Sequence, residues 1–297
     1  MHTSNSILKT VIERVRGYLD EPSSKYNNDY LTRYIIMPEM VNVFNRVQLN
    51  ADNVVLCRHT VSLVKGQESY QLPPCVGEVH RVATYDSYGN IVSDWRSDGE
   101  NHPRGPGWMI EGCTLSFRPY PVQAEDVDLW YVSNGDFSPH YSSSGGSLTD
   151  ASTLVLGDAE IGEVDRRPQA YAGSVLRLLP DAPGVVEERI IDTHDPSAVT
   201  PYVTVRVPFT HNVTGSIKYE ITPPGMATAV QAISASAALN LGVSKNISEK
   251  LHGFLRIEYR KGLKTAGDIV ANMNQKHPKG WDRRTIDNTS GHMWFLT

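Results

Sequence analysis

Cysteine is scarce in this 297-residue chain: Cys57, Cys75 and Cys113 are odd in number, widely spaced and fit no CxxC pattern. That excludes a disulfide framework and a cysteine-based zinc site, and predicts free thiols in a reducing, cytoplasmic setting. No apolar run approaches the ~20 residues of a membrane-spanning helix, so no membrane partner is expected. The first residues, Met1–Ser6, have neither a basic start nor an apolar core, so they do not read as a secretory signal. Net positive charge is also missing: the formal charge is −5, which argues against a general nucleic-acid binder. There is no HExxH, no phosphate-cradling GxxxxGK and no GxSxG. Acidic neighbours such as Glu125, Asp126 and Asp128, or Glu187 and Glu188, are weak evidence for a glycosidase, because catalytic carboxylates must converge in space. Neither catalysis nor a cofactor or metal is expected.

What the chain does contain is an organised succession of periods. Ile7, Leu8, Val11, Ile12, Val15, Tyr18 and Leu19 recur at helical spacing, with Ser6 or Ser4 as a cap and Gly17 to Pro22 as a stop. A second helix over 29–49 starts at Asp29 and should kink near Met37, because Pro38 interrupts it. From about Val54 the period changes to strands. Thr60–Val64 and Glu68–Leu72 flank Lys65-Gly66-Gln67 and predict a hairpin; Val76–Tyr85, Trp108–Phe117 and Val127–Val132 continue the alternation. Ser142–Ser147 reads as a flexible polar linker. Short strands over 153–156, 170–179, 187–192 and 202–207, separated by turn residues, make 133–215 a β-rich insertion. The strands Val127–Val132 and Ser216–Ile221 are expected to flank it and to share the parent sheet.

Two consecutive helices follow, 226–243 and 247–274. The first is rich in alanine and serine, which lets neighbours approach closely. The second opens at Asn246-Ile-Ser-Glu249, a capping-box pattern, and carries an apolar stripe of Leu251, Leu255, Tyr259, Leu263, Ala266, Val270 and Met273. Arg256, Arg260, Lys261 and Lys264 form a basic face away from that stripe. Residues 275–297 then show no period, yet hold Trp281, Arg283, Arg284, Ile286, Met293, Trp294 and Phe295. Large apolar side chains without a core pattern find their core on a partner, and tryptophan and arginine are the usual anchors.

The predicted fold class is therefore α+β: a helical bundle from the N- and C-terminal helices, a β-rich central region, a β insertion and an extended C-terminal tail. The expected division is 1–132 with 216–274 as a core, 133–215 as the insertion and 275–297 as an arm. The order of helix, helix, a hairpin closing in Tyr70-Gln-Leu-Pro73, Val79–Val82, and an Ala-rich then Lys/Arg-bearing helix pair resembles the head-to-tail adaptor (connector) proteins of tailed bacteriophages. The resemblance covers about 1–132 and 216–275. It implies a structural virion protein at the head–tail junction, assembled as a ring of about twelve copies. The arm would bind the portal protein, the far side would meet the next tail protein, and DNA would pass through the channel without sequence-specific binding. A tail-tube or baseplate protein, or a β-rich carbohydrate-binding module, are the alternative readings.

Overall fold

The computed structural model describes residues 6–20, 26–50, 56–86, 91–97, 107–179, 186–196, 199–210, 216–243 and 245–275. The chain begins with α1, Ile7–Leu19, capped by Ser6, whose hydroxyl accepts from Lys9 N at 3.1 Å. Leu8, Val11, Ile12 and Val15 form its buried face, and Asp20 ends it in the left-handed region.

A short turn α2, Asn28–Tyr30, leads into a π-helical segment, Leu31–Ile36, and then α3, Met37–Asn50. Asn27, rather than Asp29, is the cap: its side chain accepts from Tyr30 N at 2.7 Å. The expected break at Pro38 takes the form of wider turns. Met37 N–H reaches Thr32 O, five residues back, just before the residue that has no N–H to give and whose ring crowds the preceding turn.

Seven strands make the first sheet: β1 Leu56–Leu63, β2 Ser69–Gln71, β3 Val76–Tyr85, β4 Ile91–Ser97, β5 Gly107–Glu111, β6 Thr114–Arg118 and β7 Glu125–Ser133. Their order is β1-β7-β3-β4-β5-β6-β2. The predicted β1–β2 hairpin therefore does not form. The turn itself is present, with Gln67 N donating to Val64 O and Gly66 at φ +79°, but β1 pairs with β7 and β2 with β6. One tight turn thus connects the two opposite edges and curls the sheet. Tyr70 OH donates to Val64 O at 3.1 Å and accepts from Val64 N at 2.8 Å, fastening that closure.

Six further strands close into a barrel: β8 His140–Asp150, β9 Thr153–Val155, β10 Val175–Leu178, β11 Glu187–Asp195, β12 Tyr202–Val205 and β13 Ile217–Thr222, in the order β10-β11-β12-β9-β8-β13. Leu154, Leu176, Ile191, Val203, Tyr219 and Ile221 are among the side chains that fill it. Ser142–Ser147 lies inside β8 and is no linker. Its glycines permit close approach: a Cβ on Gly145 would meet Asp158 N at 2.8 Å, and one on Gly146 would meet the Tyr219 ring at 2.6 Å. The strand over 216–221 completes the barrel and does not join the first sheet.

The helix pair is α4, Met226–Val243, and α5, Glu249–Gln275. Ser248, not Asn246, caps α5, its hydroxyl accepting from Leu251 N at 3.3 Å. By length and composition α4 is apolar enough to cross a membrane, but α1, α3 and α5 all pack on it and its core-facing residues are buried. The helices pack on one another around α4, and α1 reaches β13 of the barrel. Strand outweighs helix, 37% against 33%, so the expected helical bundle with a β insertion is wrong. The short strands of residues 140–222 close on themselves and bury a core of their own.

Candidate interaction surface

On α5, Leu255 and Ala266 are buried and Tyr259 and Leu263 half-buried, facing α4 and α3. The contact with α4 is close: a Cβ on Gly262 would lie 2.5 Å from Ala232 N. Gln231 Nε2 on α4 donates to Glu258 Oε2 at 2.9 Å. This inward stripe leaves the outward one free. Lys250, Gly253, Phe254, Ile257, Arg260, Lys261 and Lys264 recur at three- and four-residue steps on one exposed face, with Arg256 on its flank. Phe254 is 47% exposed and Ile257 54%. Phe254 touches the rest of the molecule edge-on through Tyr18, with ring centroids 6.1 Å apart. Among the described ion pairs the basic face has one, Lys261 to Glu258 at 3.5 Å. The structure thus gathers all four basic residues singled out from sequence on an open surface. It adds Phe254 and Ile257, which an apolar-stripe count passes over because they fall outside the stripe.

The other proposed contact residues, Trp281, Arg283, Arg284, Met293, Trp294 and Phe295, lie outside the described residues. What can be placed is their starting point: α5 runs 27 residues, ~40 Å at about 1.5 Å per residue, and delivers the chain to Gln275.

A second exposed surface was not foreseen. Tyr26, Tyr30 and Tyr34 stack along the helical spacing, with centroids 5.3 and 5.2 Å apart, while Leu31 and Ile35 face the core. Tyr34 is 59% exposed. The barrel loop 158–163 lies alongside: Gly162 N donates to Asp29 Oδ1 at 3.0 Å, Arg33 pairs with Glu163, and Lys9 pairs with Glu160 at 3.1 Å.

Four of the five carboxylates that might have suggested hydrolysis have structural partners. Asp128 holds Arg58 at 2.6 Å and Thr60 at 2.8 Å; Asp126 accepts from Ser62; Glu188 pairs with Arg177; Glu187 accepts from Arg189 and Thr210. The most consequential carboxylate went unnoticed in the sequence. Glu220 is fully buried on β13 and accepts from Ser6 Oγ at 2.8 Å, Ile7 N at 3.0 Å and Leu8 N at 2.6 Å, with Arg177 Nη1 at 3.1 Å behind it. It places a negative charge at the positive end of α1 and so ties the helical layer to the barrel. Arg167 makes a comparable clamp on the surface, holding Asp136 at 2.6 Å and Asp165 at 2.8 Å where the first sheet leads into the barrel.

Inside the barrel, His140 Nε2 lies 2.6 Å from Tyr219 OH, and His194 packs on Tyr171 at 4.7 Å. Burial pushes His140 and His194, and His59 on β1, down to about 4, so they are neutral at pH 7. Burial likewise raises the thiols of Cys57 to about 12 and Cys75 to about 11, which makes them inert. Among the described residues no metal-binding group of three or more His, Cys, Asp or Glu side chains occurs.

No protein-family model matches the chain. No curated protein matches it either. Among solved structures, the flagellar hook junction protein FlgK from Burkholderia pseudomallei aligns at 10% identity over 81% of this chain, with a TM-score of 0.14. The match spans 59% of that chain, and a likeness this slight carries no argument about fold or function.

Proposed function

We propose that this chain is a structural subunit of a tailed-phage particle, and specifically a head-to-tail adaptor that joins the portal to the tail as a ring. The observation that carries the reading is α5. A helix of ~40 Å presents an exposed apolar and basic face and leads directly into 275–297, a segment of large aromatic and basic residues with no core pattern of its own. In this reading Trp281, Arg283, Arg284, Met293, Trp294 and Phe295 anchor the arm on the portal, and the basic face of Arg256, Arg260, Lys261 and Lys264 meets an acidic neighbour. The net charge of −5 suits a channel wall along which DNA slides without sticking.

A tube or baseplate subunit is the second reading, favoured by the excess of strand over helix. The long α5 argues for the adaptor, because a tube built on sheet-to-sheet pairing has no use for such a helix. Co-sedimentation of the purified full chain with portal rings, with and without residues 276–297, decides between them. The adaptor reading expects binding by the full chain and its loss on truncation; equal binding by both chains would overturn it.

A further inference from the structure

The two exposed faces are complementary to each other. On α5 the outward stripe sets Phe254 and Ile257 between Lys250 and the cations Arg260, Lys261 and Lys264, with Asp268 exposed one turn beyond. The other face sets Tyr34 and Tyr30 beside Asp29 of α2 and Asp158, Glu160 and Glu163 of the barrel loop; Lys9 and Arg33 pair with Glu160 and Glu163, and Lys245 lies over the Tyr26 ring at the far end, which leaves a small acidic excess around Tyr34. Each face is a partly exposed aromatic or aliphatic cluster beside charge of one predominant sign, and the signs are opposite. The faces are built from different elements. The first belongs to α5, which packs on α4 and α3; the second belongs to the turn and π-helical segment of residues 28–36 and to the barrel loop.

We propose that the α5 face of one copy docks on the Tyr30–Tyr34 and Glu160–Glu163 face of a second copy. The occupant is a second copy because this chain carries both halves of the contact. Aromatic and aliphatic groups meet at the centre, and cations meet carboxylates beside them, which favours this pairing over a contact between two α5 faces. Since the two halves are different surfaces, each copy keeps one free half after pairing, and the contact repeats head to tail until it closes. The proposal rests on the ring reading above and deepens it by naming the interface.

Two variants of the full chain test it. One carries F254S, K261E and K264E; the other carries Y34S, E160K and E163K. Circular dichroism and thermal melts establish that both fold, and sedimentation velocity reads their assembly. The wild-type chain should associate beyond a dimer as concentration rises. Each variant alone should remain monomeric, its association weakened by ~10-fold or more, as expected for reversed charges at a contact. Mixed together, the variants should form a one-to-one dimer and stop there, since each supplies the half that the other lacks. A wild-type chain that stays monomeric up to about 1 mM (a ~4 kcal/mol contact at most) overturns the proposal. So does a variant that self-associates like the wild type, or a mixture that does not dimerise. If a triple variant fails to fold, the single changes I257R and Y34R give the same reading. Because neither face includes residues 276–297, the portal experiment above fails or succeeds independently, and loss of this interface is distinguishable from loss of the adaptor reading.

Discussion

The neighbouring helices α4 and α5 run side by side, yet they answer to different surroundings. On α4 small residues are buried on several sides: Ala229, Ala232, Ala235, Ala237 and Ala238 are at most 2% exposed, and Ser234 returns its hydroxyl to Val230 O at 2.7 Å. On α5 one side is buried and the other carries Phe254, Ile257 and five cations, Lys250, Arg256, Arg260, Lys261 and Lys264, into solvent. A helix enclosed by its own fold has no surface to offer, whereas a long helix covered on one side keeps an entire face for a partner. The contrast sets the proposed assembly face on α5 against the stability supplied by α4 and whatever holds its neighbours in place.

The largest expected effect comes from releasing α1 from that enclosure. Replacing Glu220 by alanine strands the amides of Ile7 and Leu8 in the interior and takes from Arg177 one of its two carboxylate partners, the other being Glu188. It should cost ~3–5 kcal/mol in urea unfolding, the range for breaking a buried charged pair. Acid comes next and separates strands from helices. The buried histidines among the described residues sit in β1, β8 and β11, none in the helix pair. Their folded values near 4 lie below the ~6.5 of an unfolded histidine, so between these values the unfolded chain holds protons that the folded chain refuses. Stability should therefore be complete above about pH 6.5 and decline as pH falls toward 4. Near-ultraviolet dichroism of Tyr171 and Tyr219 should report it, and H194F should flatten the decline.

Glycines then divide α5 itself. G262A forces a methyl into Ala232 and should destabilise by ~1–3 kcal/mol, as overpacking does. G253A and G267A meet open space and should stabilise by ~0.5–1 kcal/mol, the helix penalty of glycine. Smallest of all in stability is F254S, expected within about 0.5 kcal/mol of wild type because it lies on the outward face. Equal penalties at Gly262 and Gly253 would erase the distinction between the two sides of the helix.

Much of this contrast was legible in the sequence, and its limits have physical causes. The 3.6-residue period gave α1, α4 and α5 to within a few residues, and four-residue spacing placed Arg256, Arg260 and Lys264 together. The β units were misread where local signals point one way and long-range pairing another. Lys65-Gly66-Gln67 has the residues of a hairpin turn, but nothing local says that its strands will join opposite edges of one sheet. Ser142–Ser147 has the composition of a linker; only the approach of Asp158 and Tyr219 explains why glycines stand in a strand. Glu220 alternates with Ile217, Tyr219 and Ile221 as a solvent-facing residue would, and its burial follows from α1 covering that side of the barrel. The tyrosines at 26, 30 and 34 show helical spacing, but their exposure depends on which side of residues 28–36 meets the core.

Electron microscopy of lysates from a phage whose gene lacks the codons for 276–297 tests the adaptor account most directly. The account predicts DNA-filled heads and separate tails that fail to join, with the truncated chain absent from the heads. Normal tailed particles from that gene would contradict it.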